Sequence, residues 1–417
     1  MACVCLRLAL PLVALAASGR SLGAVPGYDY APLNGDAFGF YAAAREFMAS
    51  IVRVPAPAIA LAALVVVAAC LASWRIFRAV PARRWVAILL VAAAFVPALC
   101  LVIREMTPPG AAVLGWPLVW AVSMVPYRGL GLEPDPDVAF VFGLVLSLAA
   151  LATATIATAY AGRYATGSRA VGLLAAGLYA VWPLIPRLVA GDQAWENGQW
   201  NVDVGLALYT EPLSTALTAV GVALVLRPGA RPGMLAGSGL ALGYATFVKL
   251  TNGVNAFALA ILLAARIGWR RALPFALGGL LSAPLVLAYW PKGYTGMFAG
   301  QISASERPWS LEYIDDAWGR STLFTPAMLA LLGPLLLAGV LGLRDRFVLF
   351  VLLTPVVSAV AIYSLYDVTY THPRFFYTAL PFVFVLEAAG ARAIYRSLTG
   401  GRVRGLFGSG RTSHPAG

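Results

Sequence analysis

Charge is scarce in this chain. Only 12% of its 417 residues are Asp, Glu, Lys or Arg, about half the share of an ordinary soluble domain. Histidine occurs only at 372 and 414, and lysine only at 249 and 292. No Ser/His/Asp arrangement and no His-Glu-x-x-His is present, which argues against triad hydrolases and zinc enzymes. There is no Gly-x-Gly-x-x-Gly after a strand and no Walker loop. With no soluble domain to hold a nucleotide, cytosolic nucleotide-sugar or ATP chemistry is disfavoured. Cys3, Cys5, Cys70 and Cys100 lie in or beside apolar segments without metal spacing and read as small core residues, not disulfides. No internal repeat is evident. The net charge of +12 comes without an aromatic-interleaved basic stretch, so it does not point to nucleic acid.

What fills the chain is hydrocarbon. Hydrophobic residues make up 60% of it and the mean hydropathy is +0.80. Apolar runs near the length needed to cross a bilayer recur from end to end. The sequence predicts an all-α polytopic membrane protein with about twelve transmembrane helices and interfacial helices in the outer loops. The spans fall near 3–19, 55–74, 85–103, 137–161, 170–188, 206–226, 233–248, 252–265, 272–290, 322–342, 347–365 and 375–391. Residues 1–398 read as one membrane domain, and 399–417 as a basic, disordered cytoplasmic tail. The apolar piece from Ala111 to Val125, flanked by Pro108-Pro109 and Pro126, reads as interfacial or re-entrant. The stretch from Leu8 to Ala17 behind Arg7 fits either a retained first span or a cleaved signal peptide; the retained span is adopted here.

With the N-terminus in the cytoplasm, the loops sort by charge. The inner side receives Arg75, Arg78, Arg83 and Arg84, then Arg163 and Arg169, Arg227 and Arg231, and Arg266, Arg270 and Arg271. Arg344 and Arg346 follow, with the tail from Arg392 onward, and Arg7 is grouped with them. Of the 18 acids only Asp345 and Glu387 fall there, and Glu387 reads as an ion pair with Arg392. Arginine and lysine bias in short loops sets orientation. This places both termini inside a cytoplasmic membrane and the acid-rich loops outside.

Those outer loops carry the candidate chemistry. Asp36 opens an amphipathic helix at the membrane surface, where it serves as an N-cap or as a base. Asp29 is the reserve acid. Lys249, beside Thr251 and Asn252, lies about 24 Å along the helix from 233 and so near the outer interface. It either snorkels to water or meets a lipid phosphate. His372 and Arg374 precede the last span as an anchor or a phosphate clamp. Glu211, with Asp203 nearby, enters a span from outside and reads as a bond to a neighbouring helix or as a catalytic group. Glu133, Asp135 and Asp137 are spaced to hold a divalent cation or to cap the next span. Residues 193–201 mix Trp195 and Trp200 with amides, as sugar-binding surfaces do; an interfacial belt is the alternative.

The Asp36 segment, followed at helical spacing by Tyr41 and Arg45, resembles the acid-bearing first outer loop of GT-C glycosyltransferases. The family 39 protein O-mannosyltransferases and the lipid A aminoarabinose transferases are the nearest in style. Thr107-Pro108-Pro109 resembles that family's Lys-Pro-Pro motif, with Arg104 the nearest cation here. Thr210-Glu211-Pro212-Leu213 resembles its acid at a span entrance. His372-Pro373-Arg374-Phe375-Phe376 through Pro381 resembles its Arg-Tyr-to-Pro run. Two spans separate Asp36 from Pro108-Pro109, where the family usually has one loop, and the soluble C-terminal domain of many members is absent.

The resemblance implies transfer of a sugar from a polyprenyl-phosphate donor to a glycan, lipid or protein acceptor, with inversion, on the extracytoplasmic face. Asp36 would be the base. Asp29, Tyr41, Arg45, Arg104, Glu211, Lys249, His372 and Arg374 would contact donor or substrate. A phosphate leaving group needs charge stabilisation and no general acid. No cofactor is implied firmly, and a divalent cation is compatible with the outer acids. The rival expectations are a transporter or flippase of a lipid-linked or sugar substrate, and a purely structural membrane subunit.

Overall fold

The computed structural model describes residues 1–17, 36–51, 115–132, 136–185, 210–282, 310–314, 326–365 and 373–399, with scattered helical positions between 57 and 75. Among these residues all regular structure is helical. The helices are α1 (Ala2–Ala17), α2 (Asp36–Ile51), α3 (Gly115–Gly129), α4 (Pro136–Thr166), α5 (Arg169–Val181) and α6 (Glu211–Leu226). They continue as α7 (Pro232–Val248), α8 (Asn252–Ile267), α9 (Trp269–Leu280), α10 (Pro326–Gly342), α11 (Arg346–Ser364) and α12 (Leu380–Leu398), the last preceded by a 3₁₀ turn, Pro373–Ala379.

Three stretches are long and apolar enough to cross a membrane: Val138–Thr166, Arg346–Ser364 and Phe376–Leu398. They correspond to the predicted spans 137–161, 347–365 and 375–391, and they make the chain a membrane-embedded helical protein. Helices α5, α6, α8 and α10 are apolar but shorter. The predicted spans 55–74 and 85–103 lie largely or wholly outside the described residues.

Turn chemistry explains where the helices reverse. Gly167 takes φ +67° between α4 and α5, a conformation that costs glycine little. Ser168 then caps α5 by accepting from the Val171 N–H at 3.5 Å. Gly268, at φ +84°, turns α8 into α9 in one residue. Asp345 caps α11 by accepting from the Phe347 N–H at 2.9 Å.

Packing relies on small residues, as helix contacts in lipid do because burial against a tail gives no hydrophobic gain. Helices α10 and α12 cross at Gly339 and Gly390. A Cβ on Gly339 would strike the Leu386 carbonyl, and one on Gly390 would strike that of Leu335. Gly239 and Gly278 bring α7 and α9 equally close.

The short connections from 163 to 392 meet at one end of this bundle. Arg392 donates to the Thr166 carbonyl at 2.8 Å, and Arg266 lies 3.3 Å from Asp345. This gathering agrees with the charge sorting read from the sequence. Three details depart from the sequence reading. Glu387 does not pair with Arg392. It is 1% exposed among apolar neighbours, its Oε1 has no hydrogen-bond partner, and Arg392 is engaged by Thr166 instead. Arg7, grouped with the inner cations, is buried within the bundle at 1% exposure. Cys5 is exposed on the outside of α1, although Cys3 is partly covered.

Arg7 shows how a cation is held at membrane depth. Its guanidinium lies over the rings of Tyr179, at 5.3 Å, and Tyr377, at 5.9 Å, and donates to the Tyr377 hydroxyl. A charge at the centre of a helix costs about 2.5–3.5 kcal/mol on insertion scales. Two desolvated cation–π contacts worth about 2 kcal/mol each work against that cost, while Nε and Nη1 have no hydrogen-bond partner among the described residues. The arrangement ties α1 to α5 and to the 3₁₀ turn.

Candidate functional site

The opposite end of the bundle holds the polar chemistry. Helix α6 starts there with Glu211 and Pro212, so the acid sits in the first turn, where the helix dipole favours a negative charge. Helix α7 ends there at Val248. Lys249 follows in extended backbone, with its N–H returning to the Ala245 carbonyl at 2.8 Å. Lys249 Nζ lies 3.1 Å from Glu211 Oε1, and the two side chains are 13% and 2% exposed. Thr210 donates to the other carboxylate oxygen at 3.3 Å. The ammonium also sits 5.0 Å from the centre of the Tyr363 ring, on the last turn of α11. Glu211 thus bonds to the residue that ends α7. Lys249 does not simply snorkel to water.

A seam of hydroxyls and amides leads inward from this pair. Thr251 and Tyr363 share a hydrogen bond at 2.9 Å. Asn252 donates to Ser214 Oγ at 2.7 Å and to the Ala245 carbonyl at 3.1 Å. Asn255 donates to Asn252 Oδ1 at 3.4 Å and accepts from Ser358. Ser214 and Thr378 hydroxyls are 3.4 Å apart. Apart from half-buried Thr251 these groups are buried, and the bonds tie α6, α8, α11 and the 3₁₀ turn together. Buried polar groups must be paired, and the Asn252 bond to Ala245 also secures the three-residue break between α7 and α8.

The Asp36 helix is carried to the same end by aromatic packing. Tyr41 is buried with its ring 6.1 Å from Trp120, and Trp116 lies 5.9 Å from Trp120. Trp120 donates to the Ala139 carbonyl at 2.8 Å, and Tyr244 donates to the Gly115 carbonyl at 2.9 Å. Gly115 lies so near α7 that an added Cβ would meet Val248 Cα at 2.6 Å. Leu213 and Leu250, neighbours of Glu211 and Lys249, pack against this aromatic cluster. The piece expected to be interfacial or re-entrant is thus the helix α3, which begins at Gly115 and carries Pro126 inside it.

Asp36 is the first residue of α2, where the sequence put the helix start; its side chain is outside the described set, and four residues separate it from Tyr41. Arg45 is exposed on α2. Arg374 lies in the 3₁₀ turn, with its side chain outside the described set. Asp29, Arg104, His372, Glu133, Asp135 and residues 193–201 lie outside the described residues, as does the side chain of Asp137. Among the described residues no group of three or more His, Cys, Asp or Glu comes together to hold a metal.

Sequence reasoning missed Tyr363, Ser214, Asn255, Ser358 and Thr378. One signal was available: Asn252 and Asn255 recur at i, i+3 in an otherwise apolar helix, so both amides share a face. The others are ordinary residues until their helices are packed. No known family, characterised protein or solved structure matches the chain.

Proposed function

We propose that this protein is an integral-membrane glycosyltransferase of GT-C type, moving a sugar from a polyprenyl-phosphate donor to an extracytoplasmic acceptor with inversion. The observation that carries the reading is convergence. Segments far apart in sequence approach one end of the bundle: the helix that opens at Asp36, the Glu211 turn, the Lys249-to-Thr251 break, and the 3₁₀ turn that includes Arg374. The arginine-bearing connections lie at the other end. In the proposed orientation that basic end faces the cytoplasm, as do both termini, in a cell membrane crossed about twelve times.

In this mechanism Asp36 accepts the proton of the acceptor hydroxyl. The hydroxyl oxygen attacks the anomeric carbon as the bond to the phosphate oxygen breaks, and the electron pair leaves on the polyprenyl phosphate. Lys249 and Arg374 meet the charge that develops there. Glu211 keeps Lys249 positioned beside Tyr363. Asp29, Tyr41, Arg45, Arg104 and His372 complete the proposed contacts. The acceptor is a glycan, a lipid or a protein. A divalent cation, for which Glu133, Asp135 and Asp137 are the candidate ligands, remains compatible with this reaction.

The second reading, a transporter or flippase of a lipid-linked or sugar substrate, draws on the seam from Ser214 to Ser358 beside the break between α7 and α8. Transporters place substrates at such interruptions. Purified protein in vesicles with a labelled polyprenyl-phosphate sugar separates the two. Release of polyprenyl phosphate with sugar on an acceptor supports the enzyme; movement of intact donor across the bilayer without transfer replaces it with the transporter.

A further inference from the structure

The basic end is more than an orientation signal. Its connections enclose a cleft of about 860 Å³ between α6, α7, α8, α9 and α11. Arg227, Arg266, Arg270 and Arg271 line the cleft, against Asp345 as its one lining acid. Arg266 is engaged by Asp345 at 3.3 Å and lies over the Phe347 ring at 5.7 Å. Among the described residues Arg227, Arg270 and Arg271 form no ion pair, so the cleft keeps an excess of positive charge. Its deeper wall is apolar, formed by residues such as Leu235, Leu263 and Leu277.

A second groove, of about 650 Å³, shares Tyr164, Arg227 and Pro228 with the first. It runs between α4 and α6 and is lined from Arg163 back to Thr153. Ten residues of helix cover about 15 Å. That is half of a hydrocarbon core about 30 Å thick, the depth of one leaflet. Trp269, next in sequence to the lining residue Arg270, is 66% exposed, with the Arg270 guanidinium 5.4 Å from its ring centre, the pairing expected where a helix end meets headgroups.

We infer that these joined grooves bind an anionic phospholipid, its phosphate among Arg266, Arg270 and Arg271 and one acyl chain along α4. The combination selects this occupant. A soluble anion would use the arginines and leave the apolar grooves unfilled, whereas a neutral lipid would leave the arginine rim uncompensated. Basic pockets between membrane helices hold acidic headgroups for the same electrostatic reason. This site is separate from the Glu211–Lys249 end and does not depend on the reaction proposed there.

The test is native mass spectrometry of the full chain, delipidated and titrated with phosphatidylglycerol or phosphatidylcholine, with inorganic phosphate as competitor. Phosphatidylglycerol is expected to bind in preference, and millimolar phosphate to leave it bound. The triple variant Arg266→Gln, Arg270→Gln, Arg271→Gln is expected to bind it on the order of a hundredfold more weakly, about fivefold per arginine. Equal binding of the two lipids, unchanged binding by the triple variant, or displacement by inorganic phosphate overturns the inference. If the triple variant does not elute as folded protein, Leu277→Trp decides, because it fills the apolar wall and leaves every charge in place. Loss of phosphatidylglycerol from that variant supports the site, and full retention refutes it.

Discussion

Lys249 and Glu211 stand 38 residues apart in sequence and 3.1 Å apart in space, joining the end of α7 to the start of α6. The pair is nearly dry, so its members depend on each other. Removing one partner of a buried pair costs about 3–5 kcal/mol, because the other charge is left uncompensated, whereas replacing both with apolar groups is often neutral.

Lys249→Met and Glu211→Gln are therefore each expected to lower thermal stability in detergent, while Lys249→Met combined with Glu211→Leu recovers most of it. Donor binding separates structure from function. If Lys249 also meets the donor phosphate, the stable double variant binds donor poorly. Arg374→Gln should weaken donor binding too, with Arg374→Lys only a partial rescue, since lysine lacks the bidentate fork. Wild-type donor affinity in the double variant and in Arg374→Gln would leave both cations as structural groups.

The glycine crossing of α10 and α12 is expected to tolerate nothing larger. Gly339→Leu or Gly390→Leu places side-chain atoms where the Leu386 or Leu335 carbonyl already sits. Overpacking of this kind costs about 1–3 kcal/mol or more. Gly333→Leu, on the same helix with open space around it, is the control and should melt near wild type. Equal melting temperatures for Gly390→Leu and Gly333→Leu would contradict the crossing.

Tyr377→Phe tests how Arg7 is held. The substitution keeps the ring over the guanidinium and removes the hydroxyl that accepts from it. A hydrogen bond to a charged group contributes about 1.5–3 kcal/mol, so a drop of that size is expected in denaturant unfolding. Arg7→Met should cost little beyond this, because it also removes the buried charge. A strongly unfolded Arg7→Met with a normal Tyr377→Phe would shift the weight to the ring contacts.

The sequence was most legible where one physical rule dominates. Hydropathy located α4, α11 and α12, and arginine bias located the end where the 163–169, 227–231, 266–271 and 344–346 connections meet. Asp36 was legible as a helix start because Asp is a preferred cap. Pairing was not legible. Glu387 stands five residues before Arg392 and suggested an ion pair, yet helix rotation turns it into the apolar interior while Arg392 reaches Thr166. Arg7 lies in an apolar run whose neighbours, Tyr179 and Tyr377, are more than 170 residues away in the chain. The seam through Ser214, Asn255 and Ser358 likewise exists only after three helices pack.

Orientation has a direct test. With native cysteines replaced, Glu312→Cys and Ala230→Cys place thiols near opposite ends of the bundle, since Ser310 bonds the end of α11 through Leu365 and Ala230 lines the arginine cleft. An impermeant maleimide added to intact cells is expected to label 312 at once and 230 only after permeabilisation. The reverse pattern would put the Glu211–Lys249 end in the cytoplasm and remove Asp36 from the proposed reaction side.

Asp36→Asn discriminates best between chemistry and structure. Asparagine caps a helix about as well as aspartate, so the start of α2 and the packing of Tyr41 on Trp120 should survive. It cannot take a proton from an acceptor hydroxyl at neutral pH. Loss of a general base costs about 10²–10⁴-fold in rate, whereas loss of a cap costs about 1 kcal/mol of stability and no rate. The expected variant is folded, binds donor like wild type, and turns over at least a hundredfold more slowly. Asp36→Ala should add a small loss of stability to the same loss of rate. Turnover within a few-fold of wild type in folded Asp36→Asn would return Asp36 to the role of a cap. It would pass the base to Asp29 or Glu211, and Glu211 is already held by Lys249 and Thr210.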